Sequence, residues 1–311
     1  MKLITQQHRE AEHIKKMRFA ISKLLIFGII YVVSAVFMEG IIILLYSASG
    51  YDILHGNLPT GNWVSLVPLY GFFGFGVFTL VYIKLIEKRK LYQIQLVWNK
   101  KKLIRFAVNL AKGSILVALM ITLFTALRLY EFTGFGSIDP VFLFASFLAY
   151  LIQGTAEEIM CRGFLQNTLE ERLGLIPAIV ISTIAFIAPH ILSIVEMDGF
   201  LAVTAVINLC LVSCLFSLIM SCEGSVLSAC GLHIGWNFML GVIFGLQVSG
   251  GTPGTGLLSF SITGSSALLT GGNYGIEASI LLIPLLAAMN MIYIVKIKRK
   301  GADYGISKET V

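Results

Sequence analysis

Residues 141–163 read VFLFASFLAYLIQGTAEEIMCRG, an apolar run that ends in two adjacent glutamates and an arginine. Ionisable side chains at membrane depth are costly and usually functional. On a helix, residues four apart share a face, whereas neighbours differ by about 100°. Glu158 and Arg162 are therefore predicted to pair, and Glu157 to point to another face. Without a partner on its own helix, Glu157 is the candidate for proton transfer, and Glu158 is the candidate structural partner.

The composition indicates an integral membrane protein. Hydrophobic residues make up 57% of the 311 positions and charged residues only 13%, against about 25% charged residues in globular chains. The mean hydropathy is +0.85. We predict an all-α fold, a polytopic membrane bundle of about eight transmembrane helices in one lipid bilayer. The net charge of +6 comes from no basic soluble domain, so nucleic acid is not an expected partner.

Apolar segments close to the roughly 20 residues that a bilayer requires recur along the whole chain. The predicted spans cover about 24–46, 64–83, 106–127, a fourth from 141 through the glutamate pair, 175–194, 201–220, 225–246 and 276–295. Asp139 and Pro140 form a helix start, with an N-cap followed by proline at the first helical position.

Basic residues predict which ends of the spans are cytoplasmic. The segments 1–23, 84–105, 162–174 and 296–311 hold six, eight, two and five Lys or Arg, respectively, which is 21 of the 23 in the chain. Eight spans place all four segments on one side, and cytoplasmic loops carry the excess of Lys and Arg. Both termini are therefore predicted to be cytoplasmic, with Glu157 near the cytoplasmic end of its span.

The chain divides into four predicted parts. These are a basic cytoplasmic tail (1–23), accessory spans one to three (24–140), a core of spans four to seven (141–247), and an outer loop with span eight and a basic tail (248–311). Residues 248–276 are rich in Gly, Ser and Thr, and a short re-entrant piece at 257–269 remains open. Glu39 stands alone in the first span and is interpreted as a partnered or interface-reaching carboxylate.

Two histidines lie within spans, His190 in span five and His233 in span seven. Spans four and five meet at a turn near Gly174, with Glu157 17 residues before it and His190 16 residues after it. Antiparallel helices with equal rise per residue place these two side chains at similar depth. Asn237 follows His233 by four residues and shares its face. Glu157, His190, His233 and Asn237 are therefore predicted to face one cavity.

This set of side chains fits hydrolysis of a carbonyl compound. A carboxylate and a histidine can bind and deprotonate a water molecule, and a second histidine and an amide can donate to a developing oxyanion. A metal is also open, because His190, His233 and Glu157 would be a sufficient zinc set with one position left for water. Asn237 fits the oxyanion role better than a ligand role.

Three motifs in this order carry a family resemblance: Glu-Glu-x-x-x-Arg at 157–162, Phe-x-x-x-His at 186–190 and His-x-x-x-Asn at 233–237. Together they resemble the CAAX-protease and bacteriocin-processing family of intramembrane endopeptidases, which includes CAAX prenyl proteases. The resemblance covers about 141–246. It implies that Glu157 and His190 activate water, that His233 and Asn237 stabilise the oxyanion, and that Glu158 and Arg162 support the site.

The resemblance also implies what the protein acts on. The expected substrate is a membrane-associated peptide or protein in a bacterial plasma membrane. Because Glu157 and its partners lie near the cytoplasmic end of their spans, cleavage is expected near the cytoplasmic face. Members are often described as metalloproteases, but a metal-free, glutamate-dependent mechanism is also proposed for them, so the cofactor is unknown and zinc stays open. Bacteriocin processing and self-immunity are both open as biological roles.

Two other classes of protein remain as alternatives. A non-catalytic scaffold or self-immunity protein would use the motif residues only to hold helices together. A proton-coupled transporter would use buried Glu, His and Arg as a relay, but the polar residues cluster near one leaflet and no matching motif halves are present.

Overall fold

The computed structural model describes residues 2–57, 59–251 and 256–303, with side chains for residues 9–57, 59–251 and 256–300. The α-helices in this part of the chain are α1 Lys2–Ala48, α2 Leu66–Val81, α3 Lys100–Ala126, α4 Pro140–Glu158, α5 Asn167–Leu173, α6 Leu175–Ile187, α7 Ile191–Ile194, α8 Gly199–Glu223, α9 Val226–Phe238, α10 Ala267–Thr270 and α11 Leu282–Asp303. π-Helical segments extend three of them, at Tyr82–Ile86 after α2, Ile159–Gln166 after α4 and Met239–Ile243 after α9.

The predicted all-α membrane bundle is confirmed. Within the described residues, seven helices are long and apolar enough to cross a membrane, and they begin or end close to the first seven predicted spans. Helix α1 also exposes large apolar side chains along its length, including Leu25, Val36 and Leu44. Such a surface is unfavourable in water and suits contact with lipid tails.

The eighth predicted span corresponds to α11, which is not among those seven helices. Helix α11 begins at Leu282, six residues later than predicted, because Ile276–Ala278 form a 3₁₀ turn. Its apolar part ends at Val295, before the basic residues of the tail. The count of eight spans and the cytoplasmic location of both termini stay predictions, and the predicted tail from residue 304 lies outside the described residues.

A two-stranded sheet lies at the end of the bundle that was predicted to be outside. Strand β1, Tyr130–Phe135, pairs antiparallel with β2, Leu258–Ile262, with an irregularity between Phe132 and Gly134. Residues 257–269, for which the sequence left a re-entrant piece open, contribute this strand and most of the short helix α10. The two strands are far apart in the sequence, so no local sequence pattern predicts that they pair.

Helix α9 is the central helix of the bundle, and every residue from Val226 to Asn237 is buried. Its close approach to α3 depends on glycine. A Cβ atom at Gly231 would lie 2.3 Å from the carbonyl oxygen of Phe106, and one at Gly235 would lie 2.1 Å from that of Leu110. Small residues at such crossings let helix backbones touch, and here they fix the position of the helix that carries His233 and Asn237.

Candidate active site

The glutamate pair lies at the end of α4, in the middle of one long helical rod. Asp139 caps this rod as predicted, its side chain accepting a hydrogen bond from the backbone N–H of Val141. After Glu158 the rod continues as the π-helical segment Ile159–Gln166, whose eight residues are all buried. π-Helical turns are rare and frequent at functional sites.

The predicted ion pair between Glu158 and Arg162 is present. Glu158 Oε1 and Arg162 Nη1 are 3.2 Å apart, and both side chains are 0% exposed. Arg162 Nη2 also donates to Ser213 on α8, to its carbonyl oxygen at 3.0 Å and its hydroxyl at 2.8 Å. The guanidinium lies 4.6 Å from the ring centre of Phe186. A buried charge needs a partner and further hydrogen bonds, and Arg162 has both.

His233 connects the two glutamates from α9. Its Nδ1 is 2.9 Å from Glu158 Oε1, and its Nε2 is 3.6 Å from Glu157 Oε2. The imidazole stacks on Phe216 with ring centres 4.8 Å apart. The contact with Glu158 fixes the ring orientation and turns Nε2 towards Glu157. Glu157, predicted to lack a partner on its own helix, thus has one on another helix.

Gly154 lets α4 come close enough to α9 for these contacts. A Cβ atom at this position would lie 2.9 Å from Ile234 Cγ1 and 3.6 Å from His233 Cγ. Any larger side chain would push the two helices apart. The spacing of the glutamates from His233 therefore depends on this glycine, one turn before Glu158.

Asn237 is held by a second residue of α4. Its Nδ2 donates to Gln153 Oε1 at 3.1 Å, and both side chains are buried. An amide nitrogen carries two hydrogens, so one remains for another acceptor. Sequence reasoning missed Gln153, although its position four residues before Glu157 places the two on the same face of α4.

His190 lies across the site, in the 3₁₀ turn Ala188–His190 that follows the end of α6 at Ile187. Its Nδ1 bonds to the carbonyl oxygen of Phe186 at 3.0 Å. Because a carbonyl oxygen only accepts, Nδ1 carries the proton, and Nε2 of the neutral ring is an acceptor. Among the described residues, His233 is the histidine that pairs with Glu157 within 4.0 Å. Glu157 and His190, which are expected to act together on a water molecule, line the same cavity but do not contact each other directly.

All four predicted catalytic residues line one cavity of about 500 Å³. This volume is within the range of about 300–1,000 Å³ for small-molecule sites. Along α4 the lining runs from Phe142 to Glu157, which is about 22 Å at the helical rise. Ser65, at the start of α2, and Gly251 also line it. The cavity therefore extends from Glu157 towards the end of the bundle that is poor in Lys and Arg.

The predicted zinc set does not form a ligand cluster. Across the part of the chain that the structure describes, no three His, Cys, Asp or Glu side chains lie close enough together to hold a metal ion. His233 Nε2 faces Glu157, but His190 stands apart from both. The arrangement leaves space between Glu157 and His190 and does not fit these three residues as joint ligands.

One carboxylate of the cavity was not anticipated. Glu277, in the 3₁₀ turn before α11, lines the same cavity as Glu157. Its Oε1 accepts from Trp236 Nε1 at 3.0 Å. In the sequence Glu277 follows a polar loop and carries no motif, so only the tertiary structure brings it to the site. Glu39, by contrast, lies exposed on α1 and outside the cavity lining.

The match to a known family covers this site. Residues 139–239 match the family model described as type II CAAX prenyl endopeptidase Rce1-like. The chain carries an Rce1-like domain. The domain runs from the cap of α4 to the end of α9, about a third of the chain, and holds all six predicted site residues. It matches the family resemblance read from the three motifs and points to a membrane protease.

Outside the Rce1-like domain the comparisons give no further relatives. Neither the curated proteins nor the solved structures that were compared include a match to the chain. Helices α1 and α2 supply part of the cavity wall, among others Phe27, Tyr31 and Phe75. The Rce1-like domain is therefore completed by accessory helices to which no family is assigned.

Proposed function

We propose that this protein is an intramembrane endopeptidase that hydrolyses a peptide bond of a membrane-associated protein or peptide. The observation that carries the proposal is the cavity in which Glu157, His190, His233 and Asn237 meet. The match to the Rce1-like family supports the reaction class.

Glu157 is the proposed general base. Its side chain is 17% exposed, so it reaches the cavity while most of its surface is covered by protein. A water molecule between Glu157 and His190 would give one proton to the carboxylate and one hydrogen bond to His190 Nε2. The resulting hydroxide attacks the scissile carbonyl carbon, and the proton on Glu157 then passes to the leaving amine.

His233 and Asn237 are the proposed oxyanion donors. Glu158 accepts from His233 Nδ1, so when both ring nitrogens carry a proton, Nε2–H points to the side of the cavity where Glu157 lies and would donate to the substrate oxygen there. Asn237 lies one helical turn after His233 on α9, and its second amide hydrogen is the other proposed donor. Donors fixed in place before the reaction stabilise the charge that develops on the carbonyl oxygen. The positive charge of Arg162 compensates the buried carboxylate of Glu158, which lowers the free-energy cost of burying that carboxylate beside His233.

The depth at which the substrate is cut differs from the side on which it enters the cavity. Sequence reasoning expects cleavage near the cytoplasmic face, because Glu157 lies towards that end of its span. The cavity, however, reaches the opposite end of α4. We propose that the substrate enters from the end poor in Lys and Arg and is cut deep in the cavity, near the level of Glu157.

The test is cleavage of a quenched peptide library by the purified, detergent-solubilised full chain. Glu157→Gln and His190→Ala should each lower kcat/KM by at least about 100-fold, since general-base catalysis contributes about 10²–10⁴-fold. Glu39→Gln is the matched control, because it removes a carboxylate from a span but outside the cavity, and it should retain activity.

A zinc chelator added to the same assay tests whether the reaction requires a metal ion. Activity that survives a zinc chelator but not Glu157→Gln supports a metal-free, carboxylate-activated water. Activity that is lost in chelator and restored by zinc would instead make His190 and His233 ligands, with a rearranged site. A protein whose partner binding tolerates Glu157→Gln, and which cleaves nothing, would be a scaffold or self-immunity protein.

A further inference from the structure

Glu277 lies outside the Rce1-like domain, yet a helix of that domain holds its backbone in place. The side chain of Asn208, on α8, donates through Nδ2 to the carbonyl oxygens of Glu277 and Ser279 at 2.9 and 2.8 Å. Asn208 is only 2% exposed. Hydrogen bonds are stronger where water is excluded, so the turn that carries Glu277 is firmly attached to α8.

From this turn, the side chain of Glu277 connects two walls of the cavity. Oε1 accepts from Trp236 Nε1, on α9, at 3.0 Å. Oε2 accepts from the backbone N–H and the hydroxyl of Ser249 at 2.5 and 3.2 Å. All three residues line the cavity. One carboxylate therefore holds both the helix that carries Asn237 and the chain segment that follows this helix.

The partners of Glu277 require an acceptor on both sides. An ionised carboxylate only accepts hydrogen bonds, whereas a glutamine amide has one accepting oxygen and a nitrogen that only donates. Trp236 and Ser249 both donate to Glu277. A glutamine would therefore leave one of these donors unpaired, which is unfavourable for a group shielded from water.

Ser249 depends on this support because its backbone is strained. Its φ of +50° lies in the left-handed region, which residues other than glycine rarely adopt. Strain of this kind persists only where the surrounding structure holds it. Here both hydrogen bonds from Ser249 to Glu277 hold it, so the carboxylate also fixes the shape of this part of the cavity wall.

Trp236 connects Glu277 to the reaction centre through its place on α9. It directly precedes Asn237, and neighbouring residues on a helix differ by about 100° in direction. Holding the indole therefore restricts the rotation of α9 about its axis. His233 and Asn237 anchor the same helix to α4, whereas the bond from Trp236 to Glu277 anchors it to a segment outside the Rce1-like domain.

We infer that Glu277 is a positioning residue, which fixes the rotation of α9 through Trp236 and so directs the amide of Asn237 towards the substrate carbonyl oxygen. This inference rests on the proposed peptidase function, in which Asn237 donates to the oxyanion. A misplacement of about 1 Å in a reacting site can cost about 100-fold in rate. Oxyanion donors act in the transition state, so the loss belongs in kcat rather than in KM.

The first measurement is cleavage of a quenched peptide by the detergent-solubilised full chain. Glu277→Met, which removes both acceptors, and Trp236→Phe, which removes the donor, should each lower kcat by about tenfold to 100-fold and leave KM within about threefold. The double variant should be no slower than Glu277→Met alone, because both changes break the same contact. The control Glu131→Gln removes an exposed carboxylate on β1, outside the cavity lining, and should leave both constants unchanged.

The second measurement does not require activity. The chain contains three tryptophans, so the indole N–H signals in the NMR spectrum of the ¹⁵N-labelled protein in micelles are few. The signal of Trp236 is assigned by its loss in Trp236→Phe. Glu277→Met should shift this signal and leave those of Trp63 and Trp98 in place. It should also shift the side-chain amide signal of Asn237, which is assigned by its loss in Asn237→Ala.

The outcomes separate the two proposals. Unchanged kcat in the variants, a change in KM alone, or an unmoved Asn237 signal would overturn the role of Glu277, while cleavage that depends on Glu157 would still support the peptidase function. If Glu277→Met does not fold, Trp236→Phe decides by the same criterion of kcat. No Glu157-dependent cleavage by the wild type would count against the peptidase function, and shifted signals of Trp236 and Asn237 would still support the connection from Glu277 to α9.

Discussion

Replacing Arg162 by methionine would leave the carboxylate of Glu158 inside the protein without its cation. Both side chains are 0% exposed, and Arg162 also loses its two contacts with Ser213. Breaking a buried ion pair by removing one partner costs about 3–5 kcal/mol, because the remaining charge is uncompensated. We expect the free energy of unfolding of Arg162→Met to fall by about this amount.

The double variant Glu158→Gln/Arg162→Met is the control that isolates the charge. Replacing both partners of a buried pair by neutral groups of similar volume is often close to neutral, so the double variant should be more stable than the single one by at least about 2 kcal/mol. Unfolding by sodium dodecyl sulfate in mixed micelles, followed by tryptophan fluorescence, measures both. Trp236 lies in the site and reports on it directly.

The reasoning would be refuted if Arg162→Met cost less than about 1 kcal/mol, or if the double variant were no more stable than the single one. Either result would mean that the interior tolerates an unpaired Glu158 carboxylate. The rate of peptide cleavage provides a second test of the ion pair. Glu158 orients His233, so the double variant should be folded but slower in peptide cleavage, with the loss in kcat rather than in KM.

Two further predictions test the packing and the entrance. Gly235→Ala would place a Cβ atom 2.1 Å from the Leu110 carbonyl oxygen, which should destabilise the protein by about 1–3 kcal/mol. The control is Gly40→Ala, which has open space around it and should stabilise α1 by up to about 1 kcal/mol. Equal effects of the two variants in the detergent titration would contradict the close crossing of α9 and α3. Ser65 is exposed at the cavity lining, so the Ser65→Cys variant should react with a membrane-impermeant maleimide on intact cells. The Lys101→Cys variant should react only after permeabilisation. The reverse pattern would invert the topology and move the entrance to the cytoplasm.

The parts of the site that could be predicted are those governed by helical spacing. Four residues separate Glu158 from Arg162, so one helix is enough to bring them together. The same spacing relates Gln153 to Glu157, and Gln153 could have been found by following that face of α4 one turn back. Depth matching across the turn at Gly174 also predicts that His190 and Glu157 reach the same cavity, because both helices rise equally per residue.

Contacts between helices were predicted less well. The sequence predicted that Glu157 and His190 share a cavity, and both line it, but no pattern in it predicted that His233 contacts Glu157. Depth fixes how far along a helix a residue lies but not how the helix is rotated, and rotation decides which nitrogen faces which oxygen. Gly154 sets the distance between α4 and α9, yet nothing in its neighbourhood in the sequence shows which helix it meets.

The amino-acid sequence by itself determined that this chain is a helical membrane protein with a buried Glu158–Arg162 pair, because apolar length and helical periodicity are local properties. The three motifs likewise predicted the resemblance to the family whose model matches residues 139–239. Only the tertiary structure decided that β1 pairs with β2, that the cavity extends towards the end poor in Lys and Arg, and that Glu277 faces Trp236 and Ser249. These depend on segments tens to more than a hundred residues apart, whose meeting is set by how whole helices pack and which polar groups must find partners away from water.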